Sequence, residues 1–178
     1  MKRAYFFAIL ACIACVSGCG YTTRSISPNI AVFKTIYVQP FKNSVDYSSE
    51  RGSKNLYIPM MEVKVSNAVI NRFVHDGVLK VAKGHEADLV LKGELINYRR
   101  DELRRDDDDN VQEYRITVTV SLVLWDVAKE EPMWTESSFS GDTTYFLAGP
   151  AARSESAAID DAVNDLAQRI IERTVEDW

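Results

Sequence analysis

Residues 111–127 read VQEYRITVTVSLVLWDV, and apolar side chains alternate with polar ones through most of this stretch. Alternation with a period of two predicts a β-strand with one buried face and one wet face. The buried row consists of Ile116, Val118, Val120, Leu122 and Leu124. Residues 88–105, DLVLKGELINYRRDELRR, carry a matching row at Leu89, Leu91 and Leu95. Joined by a short polar segment, the two stretches predict a long β-hairpin.

The register of this hairpin follows from its two apolar rows. They face the same side of the sheet only if paired residue numbers add to an odd value, for example Leu95 opposite Leu122. A slip of one residue would turn one row to water. The opposite, open face is then expected to carry Lys92, Tyr98, Arg100, Arg104, Thr119 and Trp125.

Upstream of the hairpin, the sequence predicts a strand, a loop, a helix and a short strand. Residues 34–41 alternate, with Ile36 and Val38 on one face and Tyr37, Gln39 and Phe41 on the other. Pro40 indicates an edge position or the end of that strand. Residues 42–57 are expected to form a long polar loop. Pro59 should be the first helical residue and Gly77 should end the helix, and the helix should bury Met61, Val65, Ala68, Val69 and Phe73.

Residues 78–82 predict the short strand, and the sequence after the hairpin predicts a turn, a strand and a second helix. The turn covers residues 129–132 and the strand residues 133–147, before Gly149 and Pro150 break the chain. Ser154 or Ser156 is expected to cap the last helix. Its apolar stripe consists of Ile159, Ala162, Val163, Leu166, Ile170 and Ile171. Two amphipathic helices can cover one face of the sheet, which predicts an α+β two-layer sandwich with a mostly antiparallel sheet.

The N-terminus resembles that of a bacterial lipoprotein precursor. Lys2 and Arg3 precede a short apolar run that ends in Val16-Ser17-Gly18-Cys19, which is similar to a lipobox. This pattern predicts a signal peptide over residues 1–18, acylation of Cys19, a tether over residues 19–33 and one domain over residues 34–178. A plain signal peptide with a chance Cys is the alternative. The residue after Cys19 is Gly20 and not Asp. By the usual sorting pattern of bacterial lipoproteins, this predicts an anchor in the outer membrane, on the side that faces the periplasm.

Composition and motifs argue against several functions. The formal net charge is −5, whereas a general nucleic-acid binder needs a basic surface. The sequence contains no nucleophile, P-loop or zinc-protease motif, and His75 and His85 are poor candidates for a general base. We therefore expect a protein that is not an enzyme and that has no cofactor or metal. The run from Asp106 to Asp109 is a candidate for calcium or magnesium, but a solvated turn is the favoured interpretation.

Four arginines, Arg99, Arg100, Arg104 and Arg105, flank this acidic run. The planar guanidinium fork suits phosphate and carboxylate recognition. The alternative is ion pairing with neighbouring acidic residues, which contributes little at a surface. From the residues alone, ion pairing is favoured.

The segments taken together resemble the lipopolysaccharide-assembly lipoprotein family, LptE. The resemblance rests on the order and spacing of short pieces across nearly the whole chain. These are Cys19-Gly20-Tyr21, residues 36–43 (IYVQPFKN), the helix from Pro59, residues 87–93 (ADLVLKG), Tyr98-Arg99-Arg100, residues 113–116 (EYRI), Trp125-Asp126 and Met133-Trp134. It implies two helices on a four-stranded sheet.

The resemblance also implies partners and a site. The expected partner is the outer-membrane β-barrel translocon LptD, which family members enter and help to assemble, and the expected ligand is lipopolysaccharide. Basic residues near the hairpin end carry the family's lipopolysaccharide contacts, and here they correspond to Arg104 and Arg105, with Arg153 near the start of the last helix. The acidic run beside them departs from this pattern.

A second class of function remains open from the sequence. Residues 36–43 also resemble the opening of outer-membrane lipoproteins that activate periplasmic peptidoglycan synthases. Such a protein needs a long tether, and the roughly fifteen residues after Cys19 reach at most about 50 Å. A third interpretation, a periplasmic hydrolase, lacks a nucleophile–base pair.

Overall fold

A computed structural model describes residues 29–46 and 58–176 of the chain. Cys19, the signal peptide and most of the tether lie outside these residues, as do residues 47–57. The elements within them are β1 (Thr35–Val38), β2 (Lys42–Asn43), α1 (Met61–Asp76), β3 (Lys80–Val81), a single turn of 3₁₀ helix (Gly84–Glu86), β4 (Leu89–Arg105), β5 (Val111–Asp126), β6 (Glu131–Phe146) and α2 (Glu155–Val175).

The strands form one open sheet in the order β3-β1-β4-β5-β6, and β2 pairs with β4 beyond the end of β1. The β4-β5-β6 meander is antiparallel, whereas the pairs β1–β3, β1–β4 and β2–β4 are parallel. The predicted α+β sandwich is therefore confirmed. The described sheet has six strands rather than four because it includes β2 and β3, which have two residues each.

Helix α1 follows the predicted apolar spacing and buries Met61, Val65, Val69 and Phe73. Its end is also as predicted, because Gly77 adopts φ 75° and its N–H donates to the Phe73 carbonyl at 3.0 Å. The predicted start is wrong by two residues. Pro59 lies in the turn before the helix, and Met60 is the N-cap.

Helix α2 begins where Ser154 caps it, with the serine Oγ accepting from the Ala157 N–H at 3.2 Å. Its predicted apolar stripe is buried. The helix packs closely on β6 because Gly141 has no side chain. A Cβ on Gly141 would lie 2.3 Å from the Leu166 backbone nitrogen. None of the helices among the described residues combines the length and the apolar character needed to cross a bilayer.

The hairpin has the predicted odd-sum register in its first half. Leu91 faces Leu124, and Leu95 faces Val120 rather than Leu122. Both apolar rows consequently lie on the helix-covered side, where their side chains are buried. On the open face, the Lys92 ammonium lies 4.2 Å from the centre of the Trp125 ring, as the expected register requires.

A β-bulge at Ile96 overturns the prediction for the second half of the hairpin. The pairs beyond it are Tyr98 with Val118 and Arg100 with Ile116, so their numbers add to an even value. Tyr98 and Arg100 therefore lie on the helix-covered face and not on the open one. The extra residue of a bulge shifts all later side chains to the opposite face. A second irregularity at Leu103 returns Arg104 to the open face, opposite Glu113.

The segment after β1 also differs from its prediction. The strand ends at Val38, consistent with Pro40 as a strand end, but Phe41 does not lie on the face opposite Ile36. Phe41 turns into the core and packs on Gly93, while its N–H donates to Ser66 Oγ at 2.8 Å. Lys42 and Asn43 then form β2 instead of starting the expected loop.

Candidate ligand-binding end of the hairpin

The predicted site residues Arg104, Arg105 and Arg153 lie at one end of the sheet. Arg104 pairs with Glu113, Glu113 pairs with Phe146, and Phe146 forms a bridge to Ala152, the neighbour of Arg153. Three strand spacings separate the backbones of Arg104 and Ala152, which corresponds to roughly 14 Å. We call this end, formed by residues 99–115 and 145–155, the hairpin end.

Each of the three arginines already has a carboxylate neighbour. The Arg105 guanidinium pairs with Glu102, and its Nη1 lies 2.8 Å from the Asp109 carbonyl and 3.3 Å from the Asp109 carboxylate. Arg153 pairs with Asp161 in the first half of α2.

Arg104 is the loosest of the three. Its Nε lies 4.0 Å from the Glu113 carboxylate, and its side chain is 67% exposed. Exposed ion pairs contribute about 0–1 kcal/mol each, so a phosphate could displace these carboxylates at little cost. A doubly charged phosphate also accepts two parallel hydrogen bonds from one guanidinium.

The acidic run is organised as a turn. Asp106 Oδ1 accepts from the Asp108 N–H at 3.0 Å and from the Asn110 N–H at 2.8 Å. The Asn110 hydrogen bond is the main cause that lowers the pKa of Asp106 below its ordinary value. Asp109 adopts φ 66°, a left-handed conformation that Asp tolerates in turns. Within the described part of the chain, no group of three or more His, Cys, Asp or Glu residues is arranged to hold a metal ion.

A cluster of aromatic and charged side chains lies beneath the hairpin end, on the helix-covered face. Arg100 Nη1 is 2.6 Å from Glu155 Oε2 in the first turn of α2. The Arg100 guanidinium also lies over the Tyr114 ring, 4.8 Å from its centre, and Tyr114 stacks on Tyr145 at 5.8 Å. Tyr98 completes the cluster and is 1% exposed. Burial raises the pKa of the Tyr98 and Tyr145 phenols above their ordinary value.

The sequence did not reveal this cluster, although it drew attention to Tyr98-Arg99-Arg100. Simple alternation assigned Tyr98 and Arg100 to the open face, because a bulge at Ile96 has no signature in these residues. The contact with Glu155 joins residues 55 positions apart. In the structure Arg99 lies on the open face, where alternation had placed Tyr98 and Arg100 instead. The Arg99 Nε lies 2.5 Å from the Asp101 carboxylate.

The opposite end of the sheet is closed by hydrogen bonds at Asp88. Its Oδ2 accepts from the Lys34 N–H at 2.9 Å, the Thr35 N–H at 3.0 Å and the Thr35 hydroxyl at 2.9 Å. The hydrogen bond from the Lys34 backbone is the largest cause that lowers the pKa of Asp88 below its ordinary value. We call this end, where β1 and β4 begin, the tether end. It lies about 55 Å from the hairpin end, from the 17 residues of β4 at 3.3 Å each.

Solved structures with a similar fold come from several bacteria. A protein from Xanthomonas campestris aligns with a TM-score of 0.56 at 11% identity, over 85% of this chain and 90% of that one. An uncharacterized lipoprotein B from Nitrosomonas europaea aligns with a TM-score of 0.54 at 13% identity, over 88% and 91%. A hypothetical protein from Chlamydia trachomatis gives 0.53 at 14% identity, over 80% and 95%. No curated protein matches the sequence.

These similarities define the class as a small two-layer α+β domain, a fold also found in a bacterial lipoprotein. The sequence itself narrows the class to one family. The profile of the LptE lipopolysaccharide-assembly family matches residues 33–174, which include nearly all of the described helices and strands. The chain therefore belongs to the LptE family.

Proposed function

We propose that this protein is a non-catalytic outer-membrane lipoprotein that assists the assembly and function of a lipopolysaccharide translocon barrel of the LptD type. In this role it helps to deliver lipopolysaccharide to the outer membrane. The observation that carries the proposal is the LptE family match over residues 33–174.

The position of the tether end supports a lipid anchor at Cys19. Asn29 lies ten residues after Cys19 and lines a pocket with Phe33, Asp126 and Pro132, at the tether end of the sheet. Ten extended residues reach about 35 Å. An acylated Cys19 would keep the tether end near its leaflet, and the hairpin end could then lie up to about 55 Å away.

The open face of the sheet supports the barrel as a partner. Alternate positions of β5 on this face carry short hydroxyl side chains, at Thr117, Thr119 and Ser121. On the neighbouring strand β6, Ser140 pairs with Thr119. Short hydroxyl side chains make this part of the open face polar, which suits contact with the polar interior of an outer-membrane barrel. Peptidoglycan-synthase activation, the other function considered from the sequence, predicts a periplasmic synthase as the partner in place of a barrel protein.

Arg104, Arg105 and Arg153 are our proposed contacts for lipopolysaccharide. Their backbones lie at the same end of the sheet, roughly 14 Å apart across β4, β5 and β6, so a ligand with more than one phosphate could engage guanidinium groups from both places. The neighbouring carboxylates and the phosphates of the ligand compete for these arginines. Because salt screens exposed charges, lipopolysaccharide binding should weaken as the salt concentration rises.

The arginine assignment can be tested by changing Arg104 and Arg105 together to Glu in the lipidated protein. We expect lipopolysaccharide binding to fall at least tenfold, because two attractive charges become repulsive, while circular dichroism stays unchanged. The matched control changes Lys80 and Lys83 together to Glu, because both are exposed and lie away from the hairpin end. Unchanged binding in the folded double variant would remove both arginines from the site.

The anchor can be tested separately with Cys19→Ser. We expect this change to abolish incorporation of a labelled fatty acid, because the serine hydroxyl does not replace the thiol in lipoprotein acylation. Cys12→Ser, inside the predicted signal peptide, is the control and should retain the label. Label retained in the Cys19 variant would contradict the lipoprotein assignment.

A further inference from the structure

Arg100 links the hairpin to the segment that carries Arg153. Its Nη1 lies 2.6 Å from Glu155 Oε2, and Glu155 is two residues after Arg153. The intervening Ser154 is the N-cap of α2, so the ion pair ties the first turn of that helix to β4.

The surroundings hold the Arg100 side chain in place. Its guanidinium lies over the Tyr114 ring, and Tyr114 stacks on the buried Tyr145. A cation–π contact of a partly desolvated arginine stabilises more than an exposed ion pair usually does. Charged hydrogen bonding and ring contact together make Arg100 a rigid support.

The segment between β6 and α2 has few other attachments to β4. It is joined to β6 by the Phe146–Ala152 bridge and by the hydrogen bond from the Arg153 N–H to the Phe146 carbonyl at 3.0 Å. Gly149, at φ 89°, lies within it. Glu155 connects this segment to β4 across β5, through its ion pair with Arg100 and an electrostatic interaction with the Tyr98 phenol.

We propose that Arg100 is a positioning residue that fixes the distance between Arg153 and the hairpin arginines Arg104 and Arg105. This inference rests on the proposed lipopolysaccharide site and adds to it the element that sets its spacing. Arg100 acts from the helix-covered face, through Glu155. Its neighbour Arg99 lies on the open face, pairs with Asp101 and does not hold the α2 segment.

A distance measurement tests the positioning without using the ligand. Nitroxide labels are attached after Leu103→Cys and Leu147→Cys, two exposed positions on opposite sides of the site. In protein whose three native cysteines are replaced by Ala, so that only the two introduced thiols carry labels, we expect one narrow distance distribution. Arg100→Gln should broaden it, Arg100→Lys should restore part of the order, and Arg99→Gln should leave it unchanged. A distribution that stays narrow in Arg100→Gln would overturn the proposal.

A double-mutant cycle then tests the link to binding. Arg100→Gln should weaken lipopolysaccharide binding by about five- to tenfold, a change in the usual range for coupled neighbours. In an Arg153→Gln background the same change should have no further effect, because Arg100 acts through Arg153. Equal losses in both backgrounds would overturn positioning through Arg153. Broadened distances in a protein that does not bind lipopolysaccharide would contradict the proposed function while leaving the positioning of the segment intact.

Discussion

The two halves of the β4–β5 hairpin differ in regularity and in what they expose. From Leu89 to Leu95, β4 pairs with β5 in an unbroken register, and its odd-numbered side chains are buried. From Ile96 to Arg105, three register shifts interrupt the pairing with β5, and charged side chains dominate. The first half forms the core under the helices. In the second half, the register shifts move side chains from one face to the other. As a result, Arg100 lies on the helix-covered face and Arg104 on the open face.

The largest expected effect on stability is at Tyr98. Regular alternation would place this side chain on the open face, whereas the bulge at Ile96 places it on the helix-covered face. We expect Tyr98→Ala to lower the free energy of unfolding by about 3–5 kcal/mol, the range for truncation of a buried aromatic side chain. Arg99→Ala, one residue further on the open face, should cost less than about 1 kcal/mol. Denaturant unfolding of both variants would measure this, and equal losses would place Tyr98 outside the core.

Leu122 tests the regular half. We expect Leu122→Ala to cost about 2–5 kcal/mol because the side chain is fully buried against the helices. Thr119→Ala, on the open face of the same strand, should cost much less. The same unfolding measurement applies, and a Thr119 loss as large as that of Leu122 would contradict the assignment of the two faces.

A smaller, pH-dependent effect is expected at the tether end. The pKa of Asp88 is lowered in the folded protein, so its hydrogen bonds stabilise the fold above the unfolded-state value near 3.8. This contribution should disappear as the pH falls through the folded-state pKa. Asp88→Asn should therefore lower stability at neutral pH and flatten the loss of stability below about pH 4.

Asp107→Asn provides the matched control for that experiment, since it changes the net charge equally at the hairpin tip. Between pH 7 and pH 3, the unfolding free energy of Asp107→Asn should change with pH in the same way as that of the unchanged protein. If Asp88→Asn also followed the unchanged protein, the hydrogen bonds at the tether end would contribute nothing measurable to stability.

The sequence predicted those parts of the fold that depend on regular repeats. The spacing of Met61, Val65 and Phe73 defined α1, and the alternation from Ile116 to Leu124 defined β5. Prediction failed where one extra residue reverses a pattern. Neither the bulge at Ile96 nor the inward turn of Phe41 has a local signature, because both result from packing against residues distant in the chain.

The same reasoning explains what was predicted of the site. Arg104, Arg105 and Arg153 came from the family resemblance, and the topology brings all three to the hairpin end. Arg100 and Glu155 could not be paired from sequence, because their contact depends on the bulge and on the start of α2. The residues that would hold the site together were therefore harder to predict than those that would touch the ligand.

The most direct test of the central claim is the identity of the partner. Lipidated protein with a C-terminal tag is purified in mild detergent from bacterial envelopes, and co-purifying proteins are identified by mass spectrometry, with Cys19→Ser as the control for anchoring. We predict a large outer-membrane β-barrel protein of the LptD type in stoichiometric amount. Recovery of a peptidoglycan synthase in its place, with no barrel protein, would contradict the proposed function.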